Sequence, residues 1–226
     1  PKGTVLFLHG WAQNAYIMKS RTSKLERRLT TAGYNCVFLQ APHLLPMTSI
    51  IEIDGALVEV NNGQRENARA WFVYSEKDWA DTSISLAEVQ IDYVGLDQSI
   101  DEVKKVLIGL DDDERCVILG FSQGATFCHI LSMLASRAND DYGNVSPFAK
   151  ISKAILLSGF PSMDQRSDNN TLSNNIRIPS LHIFGEQDTS VPKSFGEKLS
   201  QCFIDPEVYV HQKGHFIPHN KPLLDR

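Results

Sequence analysis

The sequence predicts one α/β domain on a mostly parallel central sheet flanked by helices, and three observations carry that expectation. Largely apolar runs recur at Thr4–Leu8, 36–40, 116–120, 153–159 and Ser180–Gly185, as in parallel strands covered on both faces. Stretches with apolar residues at three- and four-residue steps alternate with them, the pattern of βαβ units. One run, RCVILGFSQG at 115–124, passes through Gly120-Phe121-Ser122-Gln123-Gly124 directly into an amphipathic stretch. That is G-x-S-x-G, the spacing of a sharp strand-to-helix turn that presents a serine hydroxyl. Small residues at 120 and 124 let strand and helix pack closely across it.

Composition narrows the class further. With 226 residues, 42% of them hydrophobic, the chain can bury one sizeable core, and no Pro/Gly/Ser-rich or charged linker divides it. A single domain over 1–226 is therefore expected. A net charge of −5 without any basic block argues against nucleic acid or anionic membrane as the main partner. No apolar run reaches the length of a membrane span, and no signal-peptide pattern opens the chain. Cys36, Cys116, Cys128 and Cys202 are far apart, which suits free thiols rather than a disulfide frame or metal site and predicts a reducing, cytoplasmic compartment.

Element by element, Thr4–Leu8 (TVLFL) reads as a strand ending in His9-Gly10-Trp11. Residues 20–32 read as a helix with Leu25 and Leu29 inward, stopped by Gly33. The next strand, CVFLQ, closes at Ala41-Pro42, and over about 43–92 the pattern loosens into an insertion with partial structure. Within it Ile50–Ile53 is an apolar burst of no clear period, and Asn61-Asn62-Gly63 marks a turn. Ile100, Val103, Val106, Leu107 and Leu110 form a helical stripe, and Ser99-x-x-Glu102 matches a capping box. Residues 111–114 (DDDE) suit a solvated loop before the central strand.

Phe127, Ile130, Leu131 and Leu134 face the helix after the serine inward. Residues 137–149 and 161–175 read as polar loops, and Val191-Pro192 opens a helix through about Cys202. Residues 208–211 make the last strand, and the chain after Pro218 reads as a final helix cut short at Arg226.

A serine hydroxyl is a weak nucleophile at neutral pH and needs a base, itself oriented by a carboxylate. Behind such a turn the chain order is Ser, acid, His, each just past a strand. Ser122, Asp188 and His215 satisfy it. Glu186 is the second choice of acid and His219 the reserve base. His211 falls inside a strand, while His9, His129 and His182 accompany structural elements. Oxyanion donors are expected from the N–H of Gln123, after the nucleophile, and of Trp11, presented by the Gly10 turn.

Phe121, Phe160 and Phe216 adjoin these motifs, and Lys213 is the lone cation beside them, so an uncharged medium-to-long acyl chain is the expected occupant. Trp71, Phe72 and Trp79 are expected either to extend that lining or to anchor the insertion on the core.

LFLHGWAQN (6–14), RAWF (69–72), GFSQGA (120–125), SLHIFGEQD (180–188) and GHFIP (214–218) together resemble the FSH family of eukaryotic serine hydrolases. The resemblance spans nearly the whole chain and departs from the pattern at Lys213, where a second glycine is common. It implies an α/β-hydrolase fold, the triad Ser122, Asp188 and His215, and hydrolysis of a small-molecule carboxylic ester or thioester with no cofactor and no metal. Acyl-protein thioesterases and lysophospholipases share the HG and GFSQG signatures, but RAWF and the long insertion set this chain apart from them. A non-catalytic hydrolase-fold binding protein usually lacks a triad member, and all three are present here. Neither a P-loop nor a G-x-G-x-x-G fingerprint follows any strand.

Overall fold

A computed structural model describes residues 1–45, 50–53, 56–59, 65–74, 92–140, 146–164 and 176–218. The sheet that organises them contains β1 (Thr4–Leu8), β2 (Asn35–Leu39), β7 (Cys116–Phe121), β8 (Ile151–Leu157), β9 (Ser180–Gly185) and β10 (Glu207–His211), in the order β10-β9-β8-β7-β1-β2. All neighbours are parallel. The helices are α1 (Ala15–Thr31), α2 (Leu96–Ile108), α3 (Gln123–Asp140) and α4 (Lys193–Ser200).

Alternate residues of the central strands enter two cores, following the two-residue period of a strand. Leu6, Leu8 and Ile118 join Val103 and Leu107 of α2 and Phe127 and Leu131 of α3. Val5, Phe7, Leu119 and Phe121 join Met18 and Leu25 of α1 together with Ile217. Burial on both faces is the physical reason these strands read as unbroken apolar runs.

The order of the strands also marks a crevice at one edge of the sheet. From β1 the chain moves outward to β2, then returns to the other flank of β1 with β7 and continues through β8, β9 and β10. Its direction reverses between β1 and β7. The crevice beyond the carboxyl ends of two such strands is where open α/β sheets bind ligands. His9-Gly10 leaves β1 there, and Ser122 leaves β7 there.

Several expectations change. Helix α1 starts at Ala15 rather than Ser20, because the Asn14 side chain caps it by accepting the Ile17 N–H at 2.9 Å. Ser99-x-x-Glu102 is not a capping box: α2 is capped by Gly95, and the Ser99 hydroxyl, one turn inside, donates to the Trp71 carbonyl.

The insertion holds more regular structure than its pattern shows. An antiparallel pair joins β3 (His43–Leu44) to β6 (Arg69–Ala70), and β4 (Ile50–Ile53) pairs antiparallel with β5 (Ala56–Glu59). Helix α3 continues to Asp140, and Pro147–Lys150 forms a 3-10 turn within the stretch expected to be loop. Trp79, His219, the 165–175 loop and the terminal helix lie outside the described residues.

Candidate active site

Ser122 occupies the turn between β7 and α3 with φ +55°, a left-handed conformation costly for a residue with a Cβ. Its N–H donates to Leu157 O on β8 at 2.8 Å, and its carbonyl accepts the N–H groups of Ala125 and Thr126, opening α3. Close approach explains both flanking glycines: a Cβ on Gly120 would lie 2.1 Å from Gly124 O, and one on Gly124 only 2.2 Å from Leu8 O. Gln123 is the first residue of α3, so its N–H has no acceptor within the helix.

The loop after β1 abuts this turn: a Cβ on Gly10 would come within 3.3 Å of Ser122 Cβ. His9 braces the loop. Its Nε2 accepts the Ala41 N–H at 3.2 Å, so its proton sits on Nδ1 and is donated to Gly10 O at 2.9 Å. Burial lowers its pKa from 6.5 to about 4, and the ring is neutral at pH 7. Gln13 closes the loop, its N–H on Gly10 O at 3.2 Å and its Oε1 accepting the Gly10 N–H at 3.3 Å.

A carboxylate–imidazole pair comes from the turns after β9 and β10. Asp188 Oδ2 meets His215 Nδ1 at 2.7 Å, and Oδ1 accepts the N–H groups of Ser190 and Val191 at 2.9 and 2.8 Å. The Asp188 side chain is 0% exposed. Both of its oxygens are satisfied, as a buried carboxylate requires. Glu186 turns outward and pairs with Lys193 at 2.8 Å. The two turns are stitched together by Glu186 N–H on His211 O and Gln187 N–H on Lys213 O.

The His215 ring stands 4.8 Å from the Phe121 ring, next to Ser122, which brings all three residues to one edge of the sheet. Among the described residues no hydrogen bond joins Ser122 Oγ to His215. His211 is buried with its Nδ1 accepting the Lys213 N–H and its ring edge-on to Phe216. Burial lowers its pKa.

The expected pocket lining fares differently. Trp71 and Phe72 are 0% exposed and belong to the core, anchoring the insertion. Phe121 and Phe160 are buried as well, while Phe216 is half-buried beneath the Lys213 ammonium. Half-buried aromatic surface lies instead on Trp11 and Tyr74, whose rings are 5.9 Å apart. Tyr74 follows RAWF by two positions, and its sequence neighbours carry no signal that marks it. The Gln123 side chain is a second residue the motifs leave unexplained: it accepts the Trp71 N–H and donates to Phe72 O.

A cavity of about 380 Å³ lined by Val5, Leu25, Val117 and Ile155 lies away from the carboxyl ends of the strands and contains none of these site residues. Among the described residues no group of three or more His, Cys, Asp or Glu is placed to hold a metal ion. All four cysteines are free. Burial raises the Cys116 and Cys202 thiols to about 12 and about 11, which removes them as nucleophiles at neutral pH.

The chain is similar to known proteins along its whole length. An esterase of Anopheles gambiae is 33% identical over 223 residues, covering 98% of this chain and 74% of that protein. Esterase OVCA2 of Danio rerio is 30% identical, covering 95% and 89%. Among solved structures, esterase PE8 superposes with a TM-score of 0.60 at 19% identity over 99% of this chain and 88% of its own. Acyl-protein thioesterase 2 of Zea mays does so with 0.58 at 20% over 96% and 87%. At such identities these two likenesses establish the α/β-hydrolase fold alone. The serine hydrolase (FSH1) family model matches residues 1–226. With that match and relatives at 30% identity or more, the chain belongs to the serine hydrolase (FSH1) family.

Proposed function

We propose that this enzyme is an esterase or thioesterase that cleaves uncharged medium-to-long acyl esters through an acyl-enzyme on Ser122. The observation that carries the reading is a left-handed serine at the carboxyl end of β7, on the same sheet edge as a buried carboxylate–imidazole pair 2.7 Å apart. Asp188 holds the Nδ1–H tautomer of His215 and leaves Nε2 as the base. His215 takes the Ser122 proton as Oγ attacks the acyl carbonyl. The N–H groups of Gln123 and Trp11 receive the oxyanion. His215 then protonates the departing alcohol or thiol, and a water deprotonated by the same imidazole releases the acid. Contact between nucleophile and base commonly tightens only in the substrate complex.

The acyl preference draws support from the half-buried aromatic rings of Trp11, Tyr74 and Phe216. Of the cations nearby, Arg69 is engaged by the carbonyls of Ala41 and Pro42, while Lys213 is exposed with its ammonium over the Phe216 ring. Four free cysteines support action in a reducing, cytoplasmic compartment.

Labelling with a fluorophosphonate tests the nucleophile. The probe should modify Ser122, and Ser122→Ala should abolish both labelling and ester turnover with the melting temperature unchanged or slightly raised, because the strained turn adds little to the core. Retained turnover in Ser122→Ala, or labelling at another serine, removes the assignment.

A further inference from the structure

Trp71 has no exposed surface, yet it is bonded to both sides of the proposed oxyanion hole. Its indole N–H donates to His9 O at 2.7 Å, and its main-chain N–H donates to Gln123 Oε1 at 3.0 Å. Its ring lies 5.0 Å from that of Phe127, one helical turn beyond Gln123 on the same face of α3. From behind, the Ser99 hydroxyl of α2 donates to the Trp71 carbonyl. The three polar groups of one residue are thus fixed to three elements: the exit of β1, the first residue of α3, and α2.

Peptide geometry connects this arrangement to the chemistry. A trans peptide points its C=O and N–H in opposite directions. In the His9–Gly10 peptide, Trp71 holds the carbonyl and Gln13 Oε1 holds the N–H. In the next peptide the Gly10 carbonyl accepts from Gln13 N–H and His9 Nδ1, which fixes the direction of the Trp11 N–H on its far side. On the other flank, the Gln123 residue whose N–H is the second donor is tied by its side chain to Trp71 N and Phe72 O.

We propose that Trp71 is the positioning residue of the oxyanion hole, setting the spacing between the Trp11 and Gln123 N–H groups through its bonds to His9 and Gln123. This inference rests on the assignment of those two N–H groups as oxyanion donors. It gives RAWF a task other than lining a pocket.

Deleting an oxyanion donor costs about 10²–10³ in kcat. Moving donors that are still present should cost about 10- to 100-fold. Two replacements remove the indole N–H: Trp71→Phe, and Trp71→3-benzothienylalanine, which keeps the size and shape of the ring and so preserves the core if the phenylalanine variant folds poorly. Leu107→Ala, in the same core but outside the loop, is the control for loss of stability alone.

Each protein is assayed with a p-nitrophenyl ester and with an alkyl trifluoromethyl ketone, whose adduct with a serine hydrolase places an alkoxide where the oxyanion forms. The expected result for both Trp71 variants is a 10- to 100-fold fall in kcat, KM within about twofold, and a ketone inhibition constant raised in the same ratio as kcat/KM falls. Leu107→Ala should lower only the melting temperature. Wild-type kcat and ketone affinity in the benzothienyl variant overturn the inference, as do equal losses in all three variants. Absence of ester turnover and of Ser122 labelling in the wild type instead overturns the hydrolase assignment beneath it.

Discussion

Lowering the pH from 7.5 to 5 should remove about 6 kcal/mol of stability through three buried imidazoles. Burial is the largest cause in each: it moves the pKa from 6.5 to about 4 in His9, about 4 in His129 and about 3 in His182. All three rings are at most 1% exposed. His129 Nδ1 is occupied as an acceptor of the Ser162 N–H at 3.1 Å, and its Nε2 is buried with no partner among the described residues.

Above pH 6.5 the rings are neutral in both folded and unfolded chains, and stability has its full value. Below it the unfolded chain binds protons that the folded core refuses, so stability falls until the folded-state values near 4 and 3 are reached. At pH 5 each ring is about 1.5 pH units below its unfolded pKa, at about 1.4 kcal/mol per unit. That is about 2 kcal/mol per ring, and the total rivals the roughly 5–15 kcal/mol that holds a typical domain together.

Urea titrations followed by tryptophan fluorescence between pH 7.5 and 5 should give a slope near 4 kcal/mol per pH unit below pH 6. His129→Asn, which keeps an acceptor for Ser162, should lower that slope by about one third. A flat profile, or an unchanged slope in the variant, would refute the claim that these rings are shielded from protons.

Two further outcomes concern the chemistry. Asp188→Asn should lower kcat by about 10⁴ by favouring the wrong imidazole tautomer, whereas Glu186→Gln, whose carboxylate faces Lys193 at the surface, should stay within twofold. A large loss in Glu186→Gln with a small one in Asp188→Asn would transfer the role to Glu186. Along p-nitrophenyl esters from acetyl to palmitoyl, kcat/KM should climb by up to about fourfold per methylene, about 0.8 kcal/mol each, until the chain outgrows its pocket. A flat series or an acetyl optimum would show a small or polar pocket.

Local sequence by itself determined the strand–helix alternation, the glycine-flanked turn at Ser122, and the strand-end positions of Asp188 and His215. Each shows in near neighbours: runs buried on both faces, helical spacing, and a small residue at Gly120 where strand and helix cross four positions apart, although Gly124 also answers to Leu8 on β1. Even so, α1 starts five residues before its apolar stripe suggests, because one side-chain bond from Asn14 to Ile17 sets the boundary.

Only the tertiary structure decided which carboxylate turns inward, since Asp188 and Glu186 stand two residues apart and differ in what other loops offer them. The N–H groups of Ser190 and Val191 and the His215 ring satisfy Asp188, while Lys193 draws Glu186 to solvent. The same holds for Trp71, Phe72 and Ser99. Aromatic residues beside a motif look alike whether they line a cleft or fill a core, and a serine three residues before a glutamate looks like a cap. Their roles arise because the strand order brings residue 71 against residues 9, 99 and 123, between 28 and 62 positions away, and no period or spacing in the chain encodes contacts at that range.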